Sequence, residues 1–117
     1  PAALRRLTDM LGDEAPQVLP SLVQAYSADA AALCEAAREG LVRHRAEAVH
    51  RAMHGLKSNS ETFGALALAG LCRDLERRAW DGELAGAEAA LAEIEAECAR
   101  VQQALHELVG NAEALRE

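Results

Sequence analysis

Val49-His50-Arg51-Ala52-Met53-His54-Gly55-Leu56-Lys57-Ser58-Asn59-Ser60-Glu61-Thr62-Phe63 carries two patterns at once. Val49, Met53, Leu56, Ser60 and Phe63 recur at alternating spacings of four and three, and Val42 and Ala46 extend the row upstream. That spacing is the seam of a helix packed in a bundle. Off the seam, residues 54–65 are polar and set a histidine one turn from a lysine. The pattern predicts a helix from about residue 41 to about residue 63, broken by Gly64.

The same period runs outward in both directions. Leu4, Leu7, Met10 and Leu11 predict a short first helix that Gly12 can end as a C′ residue, with Asp13 as N-cap of the next. Leu19, Leu22, Val23, Tyr26, Ala30, Leu33 and Ala37 then form one apolar face, ending near Gly40. Pro16 suits a first helical turn. Pro20 lacks an N–H and clashes with the turn before it, so a kink or a late start is expected there. Downstream, Leu68, Leu71, Cys72, Leu75 and Ala79 point inward on a helix closing at Trp80-Asp81-Gly82. Leu84, Ala87, Leu91, Ile94, Cys98, Val101, Leu105 and Leu108 line the last helix, with Gly110 near its end. The Ala- and Glu-rich run over residues 85–99 keeps a strict apolar spacing, which marks it as a solvated helix.

Four long amphipathic helices with short turns predict an all-α fold: an antiparallel up-down-up-down four-helix bundle with a short additional N-terminal helix. Composition agrees. Half of the 117 residues are hydrophobic, mostly Ala and Leu, with one Ile and two Thr, so helix formers dominate over β formers. The length suits one domain over residues 1–117. Because the sequence begins at Pro1, it is expected to be a fragment of a larger protein. The net charge of −7 and three aromatic residues give no basic stripe, so nucleic acid is excluded as an expected partner. Three widely spaced cysteines read as free buried thiols in a reducing cytoplasm. No run is long and apolar enough to span a membrane, and no leader pattern appears.

At about 100° per residue, His54 lies beside the buried stripe but points off it, half sheltered and half exposed. His50 and Ser58 lie one turn to either side on the same face, flanked by Lys57 and Glu61. An imidazole with one neutral nitrogen is a competent phosphoryl acceptor near neutral pH. A lysine at i+3 can set its ammonium beside phosphoryl oxygens, and a small residue at i+4 leaves room beside the ring. Other readings of the same residues stay open here. A lone helical histidine is most often a surface or satisfied core side chain. His50 and His54 at i,i+4 could share a metal, though no third ligand is evident. His54 with Ser58 or Ser60 could suggest a hydrolase dyad, but no strand-turn-helix elbow accompanies them.

Residues 53–77 resemble histidine-containing phosphotransfer (HPt) domains of bacterial multistep phosphorelays. His54, Leu56, Lys57, Ser58, Gly64, Ala65, Leu68, Leu71, Cys72, Leu75 and Glu76 stand in register with that family's core pattern. Met53 replaces an alanine common before the histidine, and the helix start near His44 and Arg45 lacks a frequent Asp. The resemblance implies that His54 takes a phosphoryl group from a receiver-domain aspartate and passes it to another receiver. Lys57 is then the residue near the phosphate, and Ser58 is the small residue beside the ring. His50 is the minor candidate for the phosphate site. Docking is expected around His50, Arg51 and Glu61, with Glu47 on a similar face. No phosphate-cradling loop or carboxylate cluster is present, so no cofactor is expected of this chain; a receiver would supply Mg²⁺. The chain is then a phosphocarrier and not a self-sufficient enzyme, monomeric when isolated. It is expected in the cytoplasm, either free-standing or as the cytoplasmic part of a hybrid sensor histidine kinase, without direct membrane contact. The other class of function compatible with these residues is a non-catalytic interaction module using the same face.

Overall fold

The computed structural model describes residues 15–116, together with Asp9 and Gly12. Four helices follow in order: α1 (Ala15–Val42), α2 (Ala46–Thr62), α3 (Leu66–Trp80) and α4 (Ala87–Arg116). Each helix packs on two neighbours, α1 on α2 and α4, and α3 on α2 and α4. With three-residue turns joining α1 to α2 and α2 to α3, this is an antiparallel bundle in a closed ring. The bundle measures 51 × 20 × 18 Å. The short helix expected before residue 12, and the Asp13 cap, lie outside the described residues.

Two apolar clusters hold the helices. The larger takes Val49, Met53 and Leu56 from α2, Leu68, Cys72 and Leu75 from α3, Leu91 and Ile94 from α4, and Ala30 and Ala37 from α1. Because α1 and α4 outrun the two shorter helices, a second cluster forms at one end from Leu19, Val23, Tyr26, Phe63 and Leu105. The rings of Tyr26 and Phe63 sit 4.8 Å apart. Ser60, polar in an apolar row, is fully buried because its Oγ hydrogen-bonds the Tyr26 hydroxyl at 2.9 Å. Burial pushes the Tyr26 phenol up to about 12, with the Ser60 bond partly offsetting this.

The boundaries differ from expectation in four places. First, α1 continues past Gly40 to Val42, and α2 starts at Ala46, not near residue 41. Val42 is therefore no seam residue; it is 74% exposed. Gly40 marks a close approach instead of an end: a Cβ there would meet Val49 Cγ2 at 2.9 Å and the Val49 backbone N at 3.2 Å. Second, His44 takes the left-handed conformation (φ 54°) at the end of α1. The Arg45 N–H then reaches the Gly40 carbonyl and the His44 N–H the Leu41 carbonyl, the paired bonds of a Schellman ending. Gly64 ends α2 with the same pair of bonds, to Ser60 and Glu61. Third, α1 begins at Ala15 and passes through Pro20, so the late start is not realised. Pro20 sits in the second turn, where its missing N–H removes one bond near a helix end. Fourth, α4 begins at Ala87 and runs six residues beyond Gly110, with Leu84 packed on the core from the preceding turn.

Candidate functional site

The α2 and α3 faces meet beside their common seam. Met53 and Leu56 are fully buried, and His54, turned about 100° from Met53 and away from Leu56, leaves the core at its edge with a side chain 62% exposed. On α3, Glu76 follows the core residue Leu75 and lies at the same level. The His54 Nδ1 is 2.7 Å from Glu76 Oε2, and the Lys57 Nζ donates to Glu76 Oε1 at 2.8 Å and Oε2 at 3.4 Å. Glu76 is largely shielded, at 12% side-chain exposure, and Lys57 at 18%.

Burial alone would raise the Glu76 carboxyl, but hydrogen bonds from Lys57 and His54 outweigh it and hold the group below its ordinary value. Glu76 is thus a carboxylate, which only accepts hydrogen bonds. The ring nitrogen facing it, Nδ1, must carry the proton. That leaves Nε2, directed away from Glu76, as the ring's lone-pair nitrogen. The arrangement fixes both the orientation and the tautomer of His54.

Lys57 differs from a free surface lysine. It bridges α2 to α3 through Glu76, the same carboxylate that bonds the imidazole. On the far side of His54, the His50 ring lies 6.4 Å from the His54 ring at an interplanar angle of 16°, and the Trp80 ring lies 5.1 Å from His50. Trp80, at the last turn of α3, is 74% exposed. Glu47, His50, Arg51, His54 and Trp80 together line a surface hollow of about 420 Å³. Arg51 and Glu47 are exposed and paired with each other at 2.8 Å. Ser58, exposed one turn beyond His54, has its carbonyl taken by the Thr62 hydroxyl. Glu61 is exposed near the end of α2 and does not line the hollow.

Among the described residues, no three His, Cys, Asp or Glu side chains gather in a metal-holding group, so His50 and His54 have no third ligand of that kind. Glu76 and Glu47, the carboxylates at hand, are each already paired. This donor set does not fit a resident Mg²⁺.

Two residues of the site escaped the sequence reading of roles. Glu76 stood in register with the family pattern, but its spacing of 22 from His54 shows nothing until α2 and α3 are paired. Trp80 read as a helix-closing residue, although a lone tryptophan at a helix end with no core slot is itself a signal. A family model, the Hpt domain, matches residues 6–104. The chain belongs to the Hpt domain family. Its histidine-phosphotransfer role in phosphorelays follows at the level of the family. The crystal structure of histidine-containing phosphotransfer protein B (HptB) from Pseudomonas aeruginosa PAO1 superposes with a TM-score of 0.85 at 28% identity, covering 94% of this chain and 92% of that one. No curated protein sequence matches. No helix among the described residues is long and apolar enough to cross a membrane.

Proposed function

We propose that His54 carries the phosphoryl group, on Nε2, between aspartates of receiver domains. The observation that carries this reading is the Glu76 carboxylate 2.7 Å from Nδ1. It keeps the proton on Nδ1 and turns the Nε2 lone pair toward solvent, where a partner's phosphoryl group arrives. In the transfer, Nε2 bonds to phosphorus as the acyl phosphate P–O bond breaks, and the leaving aspartate keeps that electron pair. The ring becomes a phosphoimidazolium still protonated on Nδ1, and Glu76 opposes the positive charge that develops there. Return transfer to another receiver runs the same step backwards. Positioning and charge neutralisation are what such a transfer needs.

Lys57 serves in two ways. It offsets Glu76, which would otherwise present an uncompensated carboxylate near the phosphoryl oxygens, and its ammonium supplies positive charge to them. Ser58 leaves space one turn beyond the ring. Mg²⁺ and the remaining machinery come with the receiver. Docking centres on the hollow between His54 and Trp80, with His50 and Arg51 in its wall and Glu61 at the far end of the α2 face. On the α1 side the patch is bounded by Leu33, since a Cβ on Gly55 would meet Leu33 Cδ2 at 3.3 Å.

Labelling by a phosphorylated receiver tests this reading. Native chain takes up an acid-labile, alkali-stable label, and His54→Gln takes up none while it keeps its helicity and a cooperative melting transition. Full labelling of that variant would overturn the assignment. If no receiver labels the native chain yet one binds it, the face is an interaction surface without transfer.

A further inference from the structure

Diagonally across the ring from the His54–Glu76 seam, α1 meets α4, and there Cys34 and Cys98 face each other. Their Sγ atoms are 3.9 Å apart, and both thiols are free. One turn away, Arg38 of α1 pairs with Glu95 of α4, which fixes the register of the two helices at this level. The thiols border a shallow groove of about 260 Å³ whose walls include Ala30, Ala31, Ala99 and Gln102. The two cysteines are themselves buried, at 7% and 6% exposure, so the groove is a route for a small oxidant only. Cys72, the third cysteine, is fully buried in the core and does not reach it.

We propose that Cys34 and Cys98 form a peroxide-responsive thiol pair that closes to a disulfide stapling α1 to α4. A disulfide bond is about 2.05 Å long, so the sulfurs need approach by only about 2 Å, within the range of side-chain rotation and small helix adjustment. Either thiol can donate the hydrogen bond between them, so the first thiolate can form on either sulfur. With Cys34 as the attacking thiolate Cys98 is the resolving thiol, and the reverse order gives the same disulfide.

The steps balance. Cys34 thiolate attacks one oxygen of hydrogen peroxide, the O–O bond breaks, and Cys34 becomes a sulfenic acid as hydroxide leaves and takes up the thiol's proton as water. The Cys98 sulfur then attacks the Cys34 sulfur, the S–O bond breaks, and the departing hydroxide leaves as water with the Cys98 proton. Two thiols are oxidised and one peroxide is reduced to two waters. The linked α1 and α4 positions are distant in sequence, so the crosslink restricts the unfolded chain. His54 lies on the opposite seam, and transfer through it does not depend on this chemistry.

The test uses the whole chain, treated with hydrogen peroxide, alkylated and digested for mass spectrometry. The expected result is a monomer that has lost two titratable thiols, with a peptide crosslinked through Cys34 and Cys98 and with Cys72 alkylated. Its melting temperature shifts upward and returns when a thiol reductant is added. Cys34→Ser and Cys98→Ser each lose the crosslink and the shift. Where a serine variant does not fold, the crosslinked peptide from the native chain decides. Alkylation of both cysteines after peroxide, sulfinic acid on either cysteine without a crosslink, or linkage only between two chains would overturn the proposal.

Discussion

At the scale of the residue, the Glu76 carboxylate joins two helices and sets the chemistry of a third side chain. Its partners differ in kind: Lys57 neutralises it, and His54 borrows its charge to hold a tautomer. Because the folded carboxyl sits below its unfolded value, Glu76 contributes stability that is complete above the unfolded value. That contribution is lost as pH falls through the folded value. Replacing Glu76 by Gln should therefore lower stability at neutral pH by about 1–2 kcal/mol, the scale of a shielded charged hydrogen-bond pair. In chemical denaturation the gap between native and Glu76→Gln chains should narrow once pH drops below the ordinary carboxylate range. A gap independent of pH would mean that the carboxylate's charge is not what the two partners hold. The identity of this residue was visible in the sequence, but its role was not, because a contact between residues 54 and 76 exists only once two helices are laid together.

At the scale of the element, the helix periodicity was legible and the helix ends were not. Val49, Met53, Leu56 and Ser60 are all buried along one row of α2, as their spacing requires. Val42 continued that row on paper, yet it closes α1, because no glycine, proline or capping side chain announces the turn over residues 43–45. The turn is made by His44 in a conformation that costs an L-residue about 1–2 kcal/mol. Gly64 and Gly82 occupy the corresponding positions at the ends of α2 and α3, with φ of 72° and 75°. His44→Gly should thus be stabilising by about 0.5 kcal/mol, since relief of strain exceeds the entropy a glycine adds to the unfolded chain. Thermal melting checks this; an unchanged or lower melting temperature would show that the His44 ring makes a compensating contact.

At the scale of the whole molecule, the ring of four helices separates tasks by seam. The α2–α3 seam presents His54, the α1–α4 seam holds the thiol pair, and the longer ends of α1 and α4 enclose the Tyr26–Phe63 cluster. An all-α bundle was legible because amphipathic spacing states which side of each helix is inside. The composition of the proposed docking face was less so: Trp80 reaches the His54 hollow through the level at which α3 ends, and no pattern in α2 encodes that. An aromatic ring this exposed beside His54, the proposed phosphoryl acceptor, is the kind of side chain that anchors a protein interface. Trp80→Ala should weaken receiver binding by about tenfold while leaving the melting temperature within a degree or so, because the ring is mostly in water. Titration with a cognate receiver measures the first and calorimetry the second; undiminished binding would remove Trp80 from the interface.

With Glu76 holding the proton on Nδ1, Nε2 of His54 is the proposed phosphoryl acceptor. Labelling the chain's histidine nitrogens with ¹⁵N and phosphorylating it through a receiver lets NMR identify the substituted nitrogen directly. The expected result is phosphorus coupled to Nε2 of His54, with Nδ1 still protonated. Phosphorus on Nδ1 of His54, or on another histidine, would contradict it.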